Sequence, residues 1–170
     1  MEHFLIAIIP SEDITIKMRE LRTLIFKKFG LVSSRCLPEI IPVAFINKVI
    51  DKKEFINLTI PSEMNVLDCI THNTHDIYLQ INNTDFFDSL VNELSSHKTS
   101  GFIAPKQGIY MGSAEQDSNI KKICEYLHLK NEKGLSWKKN YLELMRIETP
   151  NNVWWENIRW ETIWKQKIKF

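Results

Sequence analysis

The sequence predicts an α+β fold in which antiparallel sheets carry helices on their outer faces. Three observations point there. Apolar, β-rich runs of strand length recur along the whole chain. Helical periodicity is confined to a few segments, and the stretches between them are long enough for hairpin-like strand pairs. Two halves of similar plan follow one another: strand, helix and strands, then helix, strand, helix and strands.

The elements read as follows. Residues 3–10, His3-Phe4-Leu5-Ile6-Ala7-Ile8-Ile9-Pro10, form a buried strand ended by proline. Ile14, Met18, Leu21, Leu24 and Ile25 then recur at helical spacing, with Lys17, Arg19, Arg22, Lys27 and Lys28 between them. A helix over 13–29 follows, with a basic, solvated outer face and Gly30 at its C-terminal cap. Residues 39–47 form a second strand. Pro42 inside it demands an edge position or a bulge, because proline donates nothing to a ladder. Further strands are expected over 54–60 and 76–82, and a helix over 84–97. Ile109–Gly112 reads as a strand, and Asp117 or Ser118 caps a third helix lined by Ile120, Ile123, Cys124 and Leu127. Residues 139–148 form a strand, and Ile158, Trp160 and Trp164 mark a long amphipathic strand in the tail.

Composition fits one globular domain spanning 1–170, with 44% apolar and 25% charged residues. A net charge of +1 gives no global drive toward DNA or a membrane surface. The longest apolar runs fall far short of a membrane span. Met1-Glu2-His3 lacks the basic start of a signal peptide. Cys36, Cys69 and Cys124 are odd in number and widely spaced, as free thiols of a cytoplasmic protein would be, and they suggest no zinc site. No cofactor is expected: the chain has no phosphate-cradling glycine loop and no GxSxG nucleophile motif.

The order of elements supports a resemblance. Phe4–Pro10 followed by a long helix, then Leu37-Pro38-Glu39 leading into an apolar strand, resembles the 2′–5′ RNA ligase and cyclic phosphodiesterase branch of the two-histidine phosphoesterases. Phe102–Gly112, the Trp137–Ile147 strand and the Trp-rich last strand fall in the same order as in that family. The resemblance covers nearly the whole chain and rests on element order and apolar pattern. It implies two pseudo-symmetric lobes around a central cleft. It also implies a His-x-Thr/Ser tripeptide on a central strand of each lobe. One imidazole takes a proton, the other gives one, and the hydroxyls hold the phosphoryl charge.

Both tripeptides are missing from the matching positions. The first falls on Pro42-Val43-Ala44 and the second on Tyr141-Leu142-Glu143. Pro42 and Ala44 cannot transfer a proton. Tyr141 can donate a hydrogen bond, but a phenol with a pKa of about 10 is a poor base at neutral pH. Glu143 repels a phosphate. Two His-x-Thr tripeptides occur elsewhere, His72-Asn73-Thr74 and His97-Lys98-Thr99. The first reads as a turn and the second as a helix end with the loop after it. His72 and His75, with Asp76, make an incomplete metal set, and His128 reads as a capping or surface residue.

The expectation is therefore a diverged phosphoesterase-like protein without the usual catalysis. Its cleft could hold a nucleotide or RNA end through Tyr141, Glu143, Lys139, Tyr110, Lys106 and Arg35. The alternatives are an active phosphodiesterase using His72 or His97, and an interaction domain presenting the Trp-rich tail.

Overall fold

The computed structural model describes residues 2–55, 64–72, 75–82, 84–97, 108–114, 117–130, 136–137, 141–149 and 158–168. Two antiparallel sheets and three helices make an α+β protein of two lobes. The first sheet joins the two ends of the chain. Its strands are β1 (Glu2–Ile9), β2 (Ile41–Ile46), β7 (Tyr141–Glu148) and β8 (Arg159–Lys167), in the order β2-β1-β7-β8. The second is built from the middle: β3 (Met64–His72), β4 (Asp76–Ile81), β5 (Gly108–Ser113) and the two-residue β6 (Ser136–Trp137), in the order β5-β4-β3-β6.

Helix α1 (Glu12–Phe29) begins with Glu12 and Asp13 and ends with Lys27 and Lys28, each charge opposing the helix dipole. Gly30 closes it at φ 68°, donating its N–H to Phe26 O at 2.8 Å. Ile14, Met18, Leu21 and Ile25 lie along one stripe and join Ile6 and Ile8 of β1 in the main core. Each such buried side chain contributes about 2 kcal/mol. The same core takes Phe87, Leu90 and Leu94 from α2 (Thr84–Glu93) and the 3-10 turn after it, and Ile120, Ile123 and Leu127 from α3 (Asp117–Lys130). Ile77, Leu79, Ile81, Ile109 and Met111 bring in the second sheet. No described helix is long and apolar enough to cross a membrane.

The two sheets meet where Tyr110 N donates to Ile40 O at 3.0 Å. The 3-10 helix Val32–Arg35 covers the rest of that edge. Ser33 Oγ donates to Ser113 O at 2.6 Å and accepts from Ser113 N at 2.7 Å, standing in for a strand partner. This close approach needs glycine at 112. Its φ is 148°, and a Cβ there would meet Leu31 Cδ2 at 2.7 Å.

Three expectations need correction. Phe55 ends a 3-10 helix, Lys52–Phe55, and not a strand; residues 56–60 lie outside the described residues. Tertiary contact decides this: the Phe55 ring lies 5.6 Å from Trp164, and Phe55 O accepts from Gln166 Nε2 at 3.2 Å. Strand β3 was not foreseen. A register shift between Val66 and Cys69 breaks the alternation that would have marked it. The tail is a strand, but the tryptophans do not share a face. A shift opposite Leu144 and Met145 inserts Ile163, so Trp160 and Trp164 turn to opposite sides. Trp154 and Trp155 lie outside the described residues.

Candidate functional site

Pro42 takes both positions that its missing N–H allows: β2 is an edge strand, and the ladder bulges there. Ile6 of β1 stands opposite Ala44, and Ala7 stands opposite Pro42. Val43 is the extra residue. Two positions that an even strand would aim the same way therefore face apart. Ala44, 3% exposed, joins Ile6 and Leu144 in the main core. Pro42 turns to the other side of the sheet, beside Ala7.

That second side is the candidate site. Its centre is apolar: Leu5, Ala7, Ile40, Met145 and Ile147 are buried, with Ile9, Leu37, Phe45 and Ile158 packed against them. Polar groups cross it in rows set by the ladders. One row runs Pro42, Ala7, Glu143, Lys165, and the next runs Ile9, Tyr141, Lys167. Tyr141 and Glu143 thus share this face, as an unbroken strand requires. Glu143 is only 7% exposed and accepts a hydrogen bond from the Thr162 hydroxyl. Tyr141 is 36% exposed, and the Lys165 ammonium sits 4.4 Å above its ring.

The chemistry available follows from these groups. An anion reaching this rim meets two ammonium groups and a phenol, with the carboxylate of Glu143 engaged below by Thr162. A proton relay is a different matter. Among the described residues, the histidine on this face is His3, opposite Ile147. Four residues of strand, about 13 Å, separate it from Ala7 and the Pro42–Glu143 row.

The remaining expected site residues are dispersed. Tyr110 belongs to β5, in the other sheet, and is not beside Tyr141. It is 3% exposed, and its ring meets Tyr78 edge-on at 5.6 Å. Ser113 Oγ donates to Asp76, so the Tyr110 hydroxyl, 2.8 Å away, donates to Ser113. Burial pushes the Tyr110 phenol well above its ordinary pKa, which holds it neutral. Arg35 is exposed and donates to Thr23 Oγ1 at 2.6 Å. Lys106 and Lys139 lie outside the described residues.

His72 ends β3 and His97 ends a 3-10 turn, Leu94–His97. His75 is exposed, its Nδ1 3.2 Å from Ala114 O. Among the described residues no group of three His, Cys, Asp or Glu side chains could hold a metal ion. His128 is exposed near the end of α3, its Nδ1 3.3 Å from Asp68 Oδ1.

Sequence reasoning missed Thr162, Lys165 and Lys167. Their signal was the alternation of the tail strand, hidden by the extra residue Ile163.

The entrance to β2 is fixed by a buried cation. Arg22, 1% exposed, donates from Nη2 to Leu37 O at 2.6 Å and from Nη1 to Glu39 at 3.4 Å. Burial lowers the Arg22 pKa, and the Glu39 charge opposes that shift.

No protein-family model matches the chain, and no curated protein matches it by sequence. Its fold does have a solved counterpart. A structure described as "Crystal structure of phosphoesterase" superposes with a TM-score of 0.55 at 13% identity, covering 100% of both chains. At that identity the likeness concerns the fold alone, and over its whole length this chain carries a phosphoesterase fold.

Proposed function

We propose that this chain is a diverged relative of the two-histidine phosphoesterases, of the 2′–5′ RNA ligase and cyclic phosphodiesterase kind, that has given up their reaction. In this reading it binds a nucleotide or RNA end at the Tyr141–Lys165–Lys167 rim, as a cytoplasmic protein without cofactor.

One observation carries the reading. At the four motif-equivalent positions no imidazole is present, and the bulge turns Ala44 into the core while Pro42 stays on the site face. Proton transfer from one side of a phosphate to the other then has no pair of groups to perform it. Charge and stacking remain, from the lysines and Tyr141.

The test has two parts. Hydrolysis of 2′,3′-cyclic AMP is expected to stay at background. Turnover lost in both His72→Ala and His97→Ala would establish an active phosphodiesterase instead. A short oligoribonucleotide is expected to raise the melting temperature of the wild type but not of Lys165→Ala. No shift in either protein would leave an interaction domain as the better reading.

A further inference from the structure

The fold brings together two cysteines that are far apart in sequence. Cys69 lies in the shifted stretch of β3, and Cys124 on the inner side of α3. Both thiols are partly exposed and pack against the main core. Helix α3 packs along β3, which brings the Cys69 and Cys124 thiols near enough for each to influence the other's ionisation. A neighbouring contact fixes the same register. His128, one helical turn beyond Cys124, meets Asp68, next to Cys69, at 3.3 Å. Helix and strand are therefore held side by side at two successive points.

We propose that Cys69 and Cys124 form an oxidisable dithiol that closes to a disulfide with a hydroperoxide, clasping α3 to the second sheet. The two sulfur atoms differ in character. The interaction with the Cys69 thiol lowers the Cys124 pKa, while the same interaction and burial raise that of Cys69. Cys124 is thus the nucleophile. Its thiolate attacks the peroxide oxygen, the O–O bond breaks, and a sulfenic acid and water result after proton uptake. The Cys69 sulfur then displaces hydroxide from that sulfenic acid, and its proton leaves in a second water. Two thiols and one H2O2 become one disulfide and two waters. Cys36 stands apart: its sulfur contacts Val32 O at 3.4 Å, and burial raises its pKa.

The experiment uses the full chain and dilute hydrogen peroxide. Intact mass is expected to fall by about 2 Da, and denatured free thiols to drop from three to one. Peptide mapping is expected to join Cys69 to Cys124. The melting temperature of the closed form is expected to rise by about 5 °C. Cys36→Ser is expected to leave all of this unchanged. Cys69→Ser is expected to halt at the sulfenic acid of Cys124, about 16 Da heavier. In the untreated wild type, iodoacetamide is expected to label Cys124 about tenfold faster than Cys36. Oxidation at Cys36 alone, a disulfide through Cys36, or three thiols surviving peroxide would each overturn the proposal. The wild-type mass and map decide it even where a serine variant fails to fold.

Discussion

Strands β2 and β7 flank the same central strand, β1, yet they treat their chemistry-bearing positions in opposite ways. β7 runs without a break opposite β1, so Tyr141 and Glu143 stay on one face with polar partners. β2 bulges, which separates Pro42 from Ala44 and sends Ala44 into the core. The difference teaches that a lost motif is more than a change of side chains. On β2 the backbone itself no longer presents a pair, whereas on β7 the geometry of a pair survives with new occupants.

The largest expected effect lies at the entrance to β2. Arg22→Met removes the buried cation that holds Leu37 O and Glu39 and leaves a carboxylate 8% exposed with the more exposed Arg19, 3.3 Å away, as its remaining cation. A loss of about 3 kcal/mol is expected in urea denaturation. The double variant Arg22→Met/Glu39→Gln is expected to lose less than the sum of the singles, since the removed groups depend on one another. Additive losses would mean that the two groups are not coupled.

Next comes the direct test of the bulge. Ala44→Phe overpacks the main core and is expected to cost about 2 kcal/mol, whereas Tyr141→Phe changes stability by less than about 0.5 kcal/mol. The reverse order, read from thermal melting, would place Ala44 on an open face and restore the symmetry of the two strands. The second sheet supplies a control. Ser113→Ala removes the hydroxyl that accepts from the buried Tyr110 hydroxyl and donates to Asp76, at an expected cost of about 1.5 kcal/mol.

These differences also explain what could be read in the sequence. The apolar run of β1, the periodicity of α1 and the glycine after it are local signals, and they located both elements to within a residue or two. Pro42 announced an edge or a bulge because its missing N–H is a local fact. What the sequence concealed was every consequence of an extra residue. The shift in β3 hid a strand, the one at Ile163 split the tryptophans and masked Lys165 and Lys167, and the one at Val43 undid the expected i, i+2 pair. A bulge carries no composition of its own, so alternation fails at it silently. The approach of Cys124 to Cys69 was hidden for another reason: it depends on how α3 docks on β3, which no local pattern encodes.

The smallest expected effect tests the far end of the β7 face. His3 stands opposite Ile147, about 13 Å along the strand from the Pro42–Glu143 row. Partial burial lowers its pKa below the ordinary 6.5. The folded state therefore favours the neutral ring, and the unfolded chain binds the proton more readily. That contribution is fully present above pH 6.5 and is lost as pH falls below it toward the folded value. Thermal melting of the wild type is expected to drop over that window more than melting of His3→Gln. Mobile anions at the lysine rim act over short range, since the Debye length is about 8 Å at physiological ionic strength. An oligoribonucleotide at Lys165 and Lys167 should therefore leave the His3 difference unchanged. A ligand that abolished it would have to extend along the whole face, which would enlarge the site from the rim of β7 to its full length.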